Sequence, residues 1–161
     1  MQVRAAHGGD AEAIRAIYNV EVTGSTATFD IVERTAQEQI EWLDRHSGAH
    51  PAVVATVGDE ICGFGSLSSY RERAAYATSV EDSVYVAGGW RRKGVGALIL
   101  EELVRLATMH GFHTVIGRIA GGNEGSVLLH ERCGFQVIGV EREVGRKFGR
   151  WLDVTLVQRL L

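Results

Sequence analysis

The chain has 161 residues, a formal net charge of −3, 45% hydrophobic and 23% charged residues. That length suffices for one domain with its own core, and the slightly acidic balance argues against a general nucleic-acid binder. Cys62 and Cys133 make neither a disulfide framework nor a CxxC metal pair. With no apolar run near the roughly 20 residues that cross a bilayer, and no apolar leader, a cytoplasmic protein without metal, membrane or nucleic-acid partner is expected.

In chain order, "MQVRAA" alternates like a short strand, and Asp10 stands where an N-cap belongs before a helix from Ala11 to Val22. "TGSTATFD" is a turn-rich loop with one large apolar residue, Phe29. Thr35 followed by Glu38 reads as a capping box opening a second helix. "AVVATV" and "ICGFGSLSSY", joined through "GDE", read as a strand hairpin, and "SVEDSVYVAG" as the next strand. A long helix from Gly94 to His110 carries Val95, Leu98, Ile99, Leu103, Leu106 and Ala107 at helical spacing, with Glu101 and Arg105 four apart as a surface pair. The strand "HTVIGRIA", a short helix from about Glu124 to Arg132, and the strands "GFQVIGVEREV" and "RWLDVTLVQRL" complete the chain. The expected fold is α/β (α+β): one domain over residues 1–161, ordered β-α-α-β-β-β-α-β-α-β-β, with about seven strands and about four helices.

The stretch from Trp90 to Gly96, "WRRKGVG", invites a chemical reading. Gly94 and Gly96 let backbone amides approach a ligand, and a helix start offers unpaired N–H donors and partial positive charge. Arg91, Arg92 and Lys93 add cations, so a phosphate or pyrophosphate is the natural ligand. Two familiar phosphate motifs fail: Val95 and Gly96 replace the Lys-Ser/Thr pair of a P-loop, and Ile99 replaces the third glycine of a dinucleotide fingerprint.

Arg91-Arg92-Lys93-Gly94-Val95-Gly96 fits the Q/R-x-x-G-x-G/A signature of the GNAT superfamily of N-acetyltransferases, and "NEGSVLLHERCGF" from Asn123 to Phe135 is similar to its second landmark. More narrowly, "STATF", "ERAAYATSVEDSVYV", "LLHERCGF" and "VGRKFGRWLDV" resemble the phosphinothricin and methionine sulfoximine acetyltransferase subgroup. The resemblance implies acetyl transfer from acetyl-CoA to the α-amine of a small amino-acid-like acceptor such as phosphinothricin or methionine sulfoximine or sulfone, a detoxifying reaction. It implies Glu81 as general base, and His130 as acid, partner of the base or cofactor contact. For acetyl-CoA it implies the backbone of Val84, Tyr85 and Val86, the turn from Arg91 through Arg92, Lys93, Gly94 and Val95 to Gly96, and Asn123 with Ser126. For the acceptor it points to Phe29, Arg71, Arg73, Tyr76, Thr78, Lys147 and Trp151. Arg71 and Arg73, two apart, would share one side of an extended strand and grip two anionic groups. A homodimer is implied as well. The alternatives are acetylation of a protein or peptide amine, and a catalytically silent acyl-CoA sensor.

Overall fold

Period-two and period-3.6 hydrophobic patterns translate into the elements expected of them. In the computed structural model, which describes residues 1–161, the strands are β1 (Gln2–Ala5), β2 (Ala52–Val57), β3 (Glu60–Ser69), β4 (Ser79–Val86), β5 (Thr114–Ala120), β6 (Gln136–Lys147) and β7 (Arg150–Leu160). The helices are α1 (Ala11–Gly24), α2 (Ala36–Arg45), α3 (Val95–Met109) and α4 (Glu124–Arg132). The element order is the expected one. The strands form one sheet in the order β1-β2-β3-β4-β5-β7-β6, antiparallel except where β4 meets β5. No helix is long and apolar enough to cross a membrane.

In its β2–β3 part the sheet is buried on both faces. Val53 packs with Ile99, Leu103 and Val115 beneath α3, whereas its neighbour Val54 packs with Ile14, Tyr18 and Phe64 beneath α1. Strand alternation therefore sorts consecutive residues into two cores, which explains why β2 is a continuous apolar run rather than an alternating one. On β4 the same rule sends Val80 to the α3 core and Tyr85, stacked on Phe64 at 5.2 Å, to the α1 core. Glu81 thus lies on the α1 face and Asp82 on the α3 face.

The parallel ladder between β4 and β5 is short. It runs from Ser79↔Thr114 to Asp82↔Gly117 and stops, while β4 continues to Val86 and β5 to Ala120. Beyond that last rung the strands splay, so backbone groups of Ser83 to Val86 on the β5 side have no strand partner. Backbone polar groups need partners when buried, and this gap is where a ligand can supply them.

Some local expectations change. The Thr35–Glu38 capping box forms, with Glu38 N donating to Thr35 Oγ1 at 3.2 Å and Thr35 N donating to Glu38 at 2.8 Å. Asp10 occupies the N-cap position of α1 but makes no side-chain cap there; it accepts from Arg4 at 2.7 and 2.8 Å and from His7 N at 2.9 Å. An arginine fork offers a carboxylate more than one backbone amide does. Arg105 pairs with Glu102, three residues away at 2.7 Å, instead of Glu101. Arg71 and Arg73 are not in a strand: β3 ends at Ser69 and Arg73 precedes a 3-10 turn over Ala74–Tyr76. Their two-residue spacing therefore does not place both on one strand face.

Candidate active site

The splay opens into a cleft of about 810 Å³. One wall is the free end of β4, with Val84 and Val86; another is the start of α3, with Gly94 and Gly96; a third is α4, with Asn123, Ser126 and Leu129. Gly94 is the N-cap of α3 at φ 85°, a left-handed conformation that a side chain would strain. The first intrahelical bond is from Leu98 N to Gly94 O at 3.1 Å, so the amides from Val95 to Ala97 have no acceptor within the helix. A β-carbon at Gly96 would stand 3.0 Å from Leu129, so this glycine also lets α3 close on α4. The bare amides and helix-start dipole suit a pyrophosphate. Asn123 caps α4, its Oδ1 accepting from Ser126 N at 3.3 Å, and both residues line the cleft.

The three cations part ways. Arg91 reaches across the cleft mouth to the buried carboxylate of Glu21 on α1, and its Nε donates to Val86 O at 3.3 Å. Lys93 sits over the Trp90 ring at 4.9 Å. Arg92 faces the cleft with φ 60°, a strained conformation for a non-glycine residue. The Val95 side chain is core, Tyr85 packs against the α1 core, and burial pushes the Tyr85 phenol up. Glu21, which the sequence reading did not single out, also accepts from Ser25 Oγ and lines the cleft.

Glu81 lies on the other face of β4, half-buried. Burial raises its carboxyl above the usual glutamate range, opposed first by the charge of Arg118 and then by that of Arg71, and reinforced by Asp82 and Glu141. Arg118, the only charged residue of β5, shares that face, because Glu81 registers with Ile116 and Arg118 is two further on. Its guanidinium reaches over β7 to Glu141 on β6, with 2.7 Å and 3.4 Å contacts. A lone arginine in an otherwise apolar strand was a visible signal in the sequence, but nothing there told which face it takes.

Asp82 and His130 make a closed pair on the α3 side. His130 is 4% exposed; Nδ1 meets the Ser126 carbonyl at 2.7 Å and Nε2 meets Asp82 Oδ2 at 3.0 Å. Both partners are acceptors, so the imidazole satisfies both only when it carries two protons. Burial alone favours the neutral ring, yet the hydrogen bond and charge of Asp82, aided by the Ser126 carbonyl, outweigh it and raise the His130 pKa. Gly117 makes room: a β-carbon there would lie 3.0 Å from His130 Nε2 and 3.1 Å from Asp82 Oδ1. Asp82 Oδ1 itself is buried with no partner.

The remaining acceptor candidates divide. Arg71 lies over the rings of Tyr70 and Tyr76, at 5.0 and 6.0 Å, in the exposed loop before β4. Arg73 is in the same loop, and Thr78 accepts through its carbonyl from His113 N at 2.8 Å. Phe29 rests on Gly145 of β6. Lys147 is buried and its Nζ donates to the carbonyls of Glu21 at 3.3 Å and Thr28 at 2.9 Å, so it ties the loop after α1 to β6 instead of facing a ligand. Trp151 is 60% exposed with Arg146 over its ring at 5.0 Å.

The acetyltransferase (GNAT) domain family matches residues 3–156. The chain is 40% identical to a phosphinothricin N-acetyltransferase of Streptomyces coelicolor, covering 100% of this chain and 96% of the relative. It is 36% identical to an L-methionine sulfoximine/L-methionine sulfone acetyltransferase of Pseudomonas paraeruginosa, covering 97% and 92%. Among solved structures it is similar to a phosphinothricin acetyltransferase from Sinorhizobium meliloti in complex with acetyl-CoA (TM-score 0.95, 34% identity, 99% and 88% covered). It is also similar to a ribosomal-protein-alanine N-acetyltransferase from Brucella melitensis (TM-score 0.97, 34% identity, 100% of both covered).

Proposed function

The chain belongs to the GNAT acetyltransferase family, and from that premise we propose that it acetylates the α-amine of a small amino-acid-like acceptor of the phosphinothricin and methionine sulfone class, with Glu81 as base. The chain is an acetyl-CoA-dependent N-acetyltransferase. The observation that carries the finer reading is the position of Glu81: half-buried, with a raised carboxyl, at the root of the splay whose other side is the glycine-led cleft.

The chemistry follows from that geometry. Acetyl-CoA is the co-substrate; the free edge of β4 takes its extended arm as an added strand would, and the amides at the start of α3 take its pyrophosphate. An α-ammonium is a poor nucleophile until it loses a proton, which Glu81 accepts directly or through one water. The amine lone pair forms a C–N bond at the thioester carbon, the C–S bond breaks, and the proton that the acylated nitrogen then sheds passes to the departing CoA thiolate. His130, with both nitrogens engaged, holds α4 against β4 and so keeps the cofactor wall in place. Arg71, Arg73, Phe29, Tyr76 and Thr78 supply the outer acceptor pocket.

A second copy of the chain fits the exposed edge of the sheet. On β6, Val137, Ile138, Val140 and Val144 are all exposed, and Phe148 and Trp151 continue the apolar surface. An uncovered apolar edge strand is a pairing site, and the reading is a homodimer, expected as a doubled mass in light scattering. The buried free thiols Cys62 and Cys133 suit a reducing cytoplasm.

The similarity to a ribosomal-protein-alanine acetyltransferase favours a second reading, a protein N-terminal amine as acceptor. A thiol-release screen separates the two. Turnover with methionine sulfone, methionine sulfoximine or phosphinothricin, and little with peptides, is expected. Turnover with peptides only would sink the amino-acid reading.

A further inference from the structure

We infer that Arg118 receives the α-carboxylate of the acceptor, so that Glu141, Arg118 and Glu81 together read a zwitterion and select free amino acids over peptide amines. The inference rests on the reading of Glu81 as base.

In a free amino acid the amine and the carboxylate hang on one carbon, so their N and O atoms are held within about 3 Å of each other. An amine delivered to Glu81 must therefore bring its carboxylate to whatever stands beside Glu81. Arg118 stands there: it shares the α1 face of the sheet with Glu81, on the adjoining strand, one alternation beyond the residue in register. Its charge is also the largest one opposing the rise of the Glu81 carboxyl, ahead of that of Arg71. Arg71 and Arg73, in the loop after β3, are then free for the second anionic group on the acceptor side chain.

Arg118 has donors to spare. A guanidinium carries five N–H groups in a rigid fork, and the two contacts to Glu141 engage only its Nη1 and Nη2. The side chain is about one-third exposed, at 32%, so the unspent donors are not sealed off. The charges alternate along this line: anionic Glu141, cationic Arg118, anionic Glu81. An ammonium-carboxylate pair laid alongside meets an opposite charge at each end. A peptide amine carries a neutral carbonyl where the carboxylate would be, and leaves Arg118 with only Glu141.

The placement also assigns Glu141 a role: it draws the guanidinium over β7 toward β6, away from the splay, and so competes with the acceptor for it. Arg118 is a specificity residue that touches the acceptor, and Glu141 is a positioning residue that acts through it.

The test compares methionine sulfone with its carboxamide, which keeps the amine and side chain but lacks the negative carboxylate, using thiol release by the intact enzyme. Wild type is expected to prefer the free acid. Measured at a pH where Glu81 is fully ionised in both proteins, Arg118→Met should lower kcat/KM for the acid by about 10- to 100-fold, mostly through KM, and that for the carboxamide far less. Arg118→Lys, which keeps the charge without the fork, should fall between. Glu141→Gln should leave the carboxamide alone and lower KM for the acid. Unaltered Tm and acetyl-CoA affinity in Arg118→Met show an intact fold; should that variant not fold, Arg118→Lys and Glu141→Gln carry the comparison. Equal losses on acid and carboxamide, or none on either, would overturn the assignment of Arg118 while leaving acetyl transfer to amino acids standing. A wild type that turns over the carboxamide and not the acid would overturn both.

Discussion

Glu81 and Asp82 are consecutive carboxylates on one strand, and they live in different chemistries. Glu81 lies on the α1 face among Arg118, Glu141 and Arg71, half-buried and with its charge uncommitted to any hydrogen bond partner. Asp82 lies on the α3 face, 5% exposed, closed against His130 under Gly117. Residue type does not separate them; strand alternation at the last rung before the splay does. One carboxylate is left without a hydrogen-bond partner, and the other is closed against the histidine of α4.

Glu81 should be the more sensitive of the two positions. Replacing Glu81 by Gln keeps size and hydrogen bonding but removes the base, so kcat should fall about 100-fold or more while acetyl-CoA affinity, measured by titration calorimetry, stays put. Undiminished kcat would remove Glu81 from the mechanism. At Asp82 the expected loss is in stability. Asp82→Ala strands a buried imidazole, which costs about 3 kcal/mol and lowers Tm by about 10 °C; a Tm within a degree or two of wild type would contradict the closed pair. Gly117→Ala puts a methyl group against both members of that pair, and overpacking of about 1–3 kcal/mol should show as a lower denaturation midpoint.

The smallest effect is a pH dependence, and it separates the neighbours by window. The folded His130 pKa is raised, so the pair's stabilisation is full below the ordinary histidine value of 6.5 and is lost as pH rises through the folded value. Tm should therefore sag on the alkaline side of neutrality in wild type and not in Asp82→Asn. Glu81 also titrates high, from an ordinary 4.5, so its contribution to stability is present in acid and disappears as pH climbs through its raised value. Activity runs the other way: kcat/KM should rise as Glu81 loses its proton, and Glu81→Gln should flatten that limb. A stability curve and a rate curve moving oppositely across one carboxylate identify a base kept at a cost to the fold.

Much of this architecture is legible in the sequence. The capping box at Thr35, the hairpin after Val57 and the order of all eleven elements follow from spacing and turn chemistry, which are local. The basic turn was legible only in part: the glycines and bare amides fall where expected, but Arg91 and Lys93 are occupied by Glu21 and Trp90. Lys147 makes the same point, since its ammonium is consumed by two carbonyls more than 100 positions away in the chain.

What the sequence determined by itself is the set of elements, the glycine-led helix start at Gly94 and a carboxylate at position 81. These depend on neighbours within a few residues, and backbone sterics and hydrophobic period carry that information. What only the tertiary structure decided is which groups meet: Asp82 with His130 across 48 positions, Arg118 with Glu141 across 23, and Glu21 with Arg91 across 70. Those pairings join residues far apart in the chain, and only the packing of helices on both faces of one sheet brings them together.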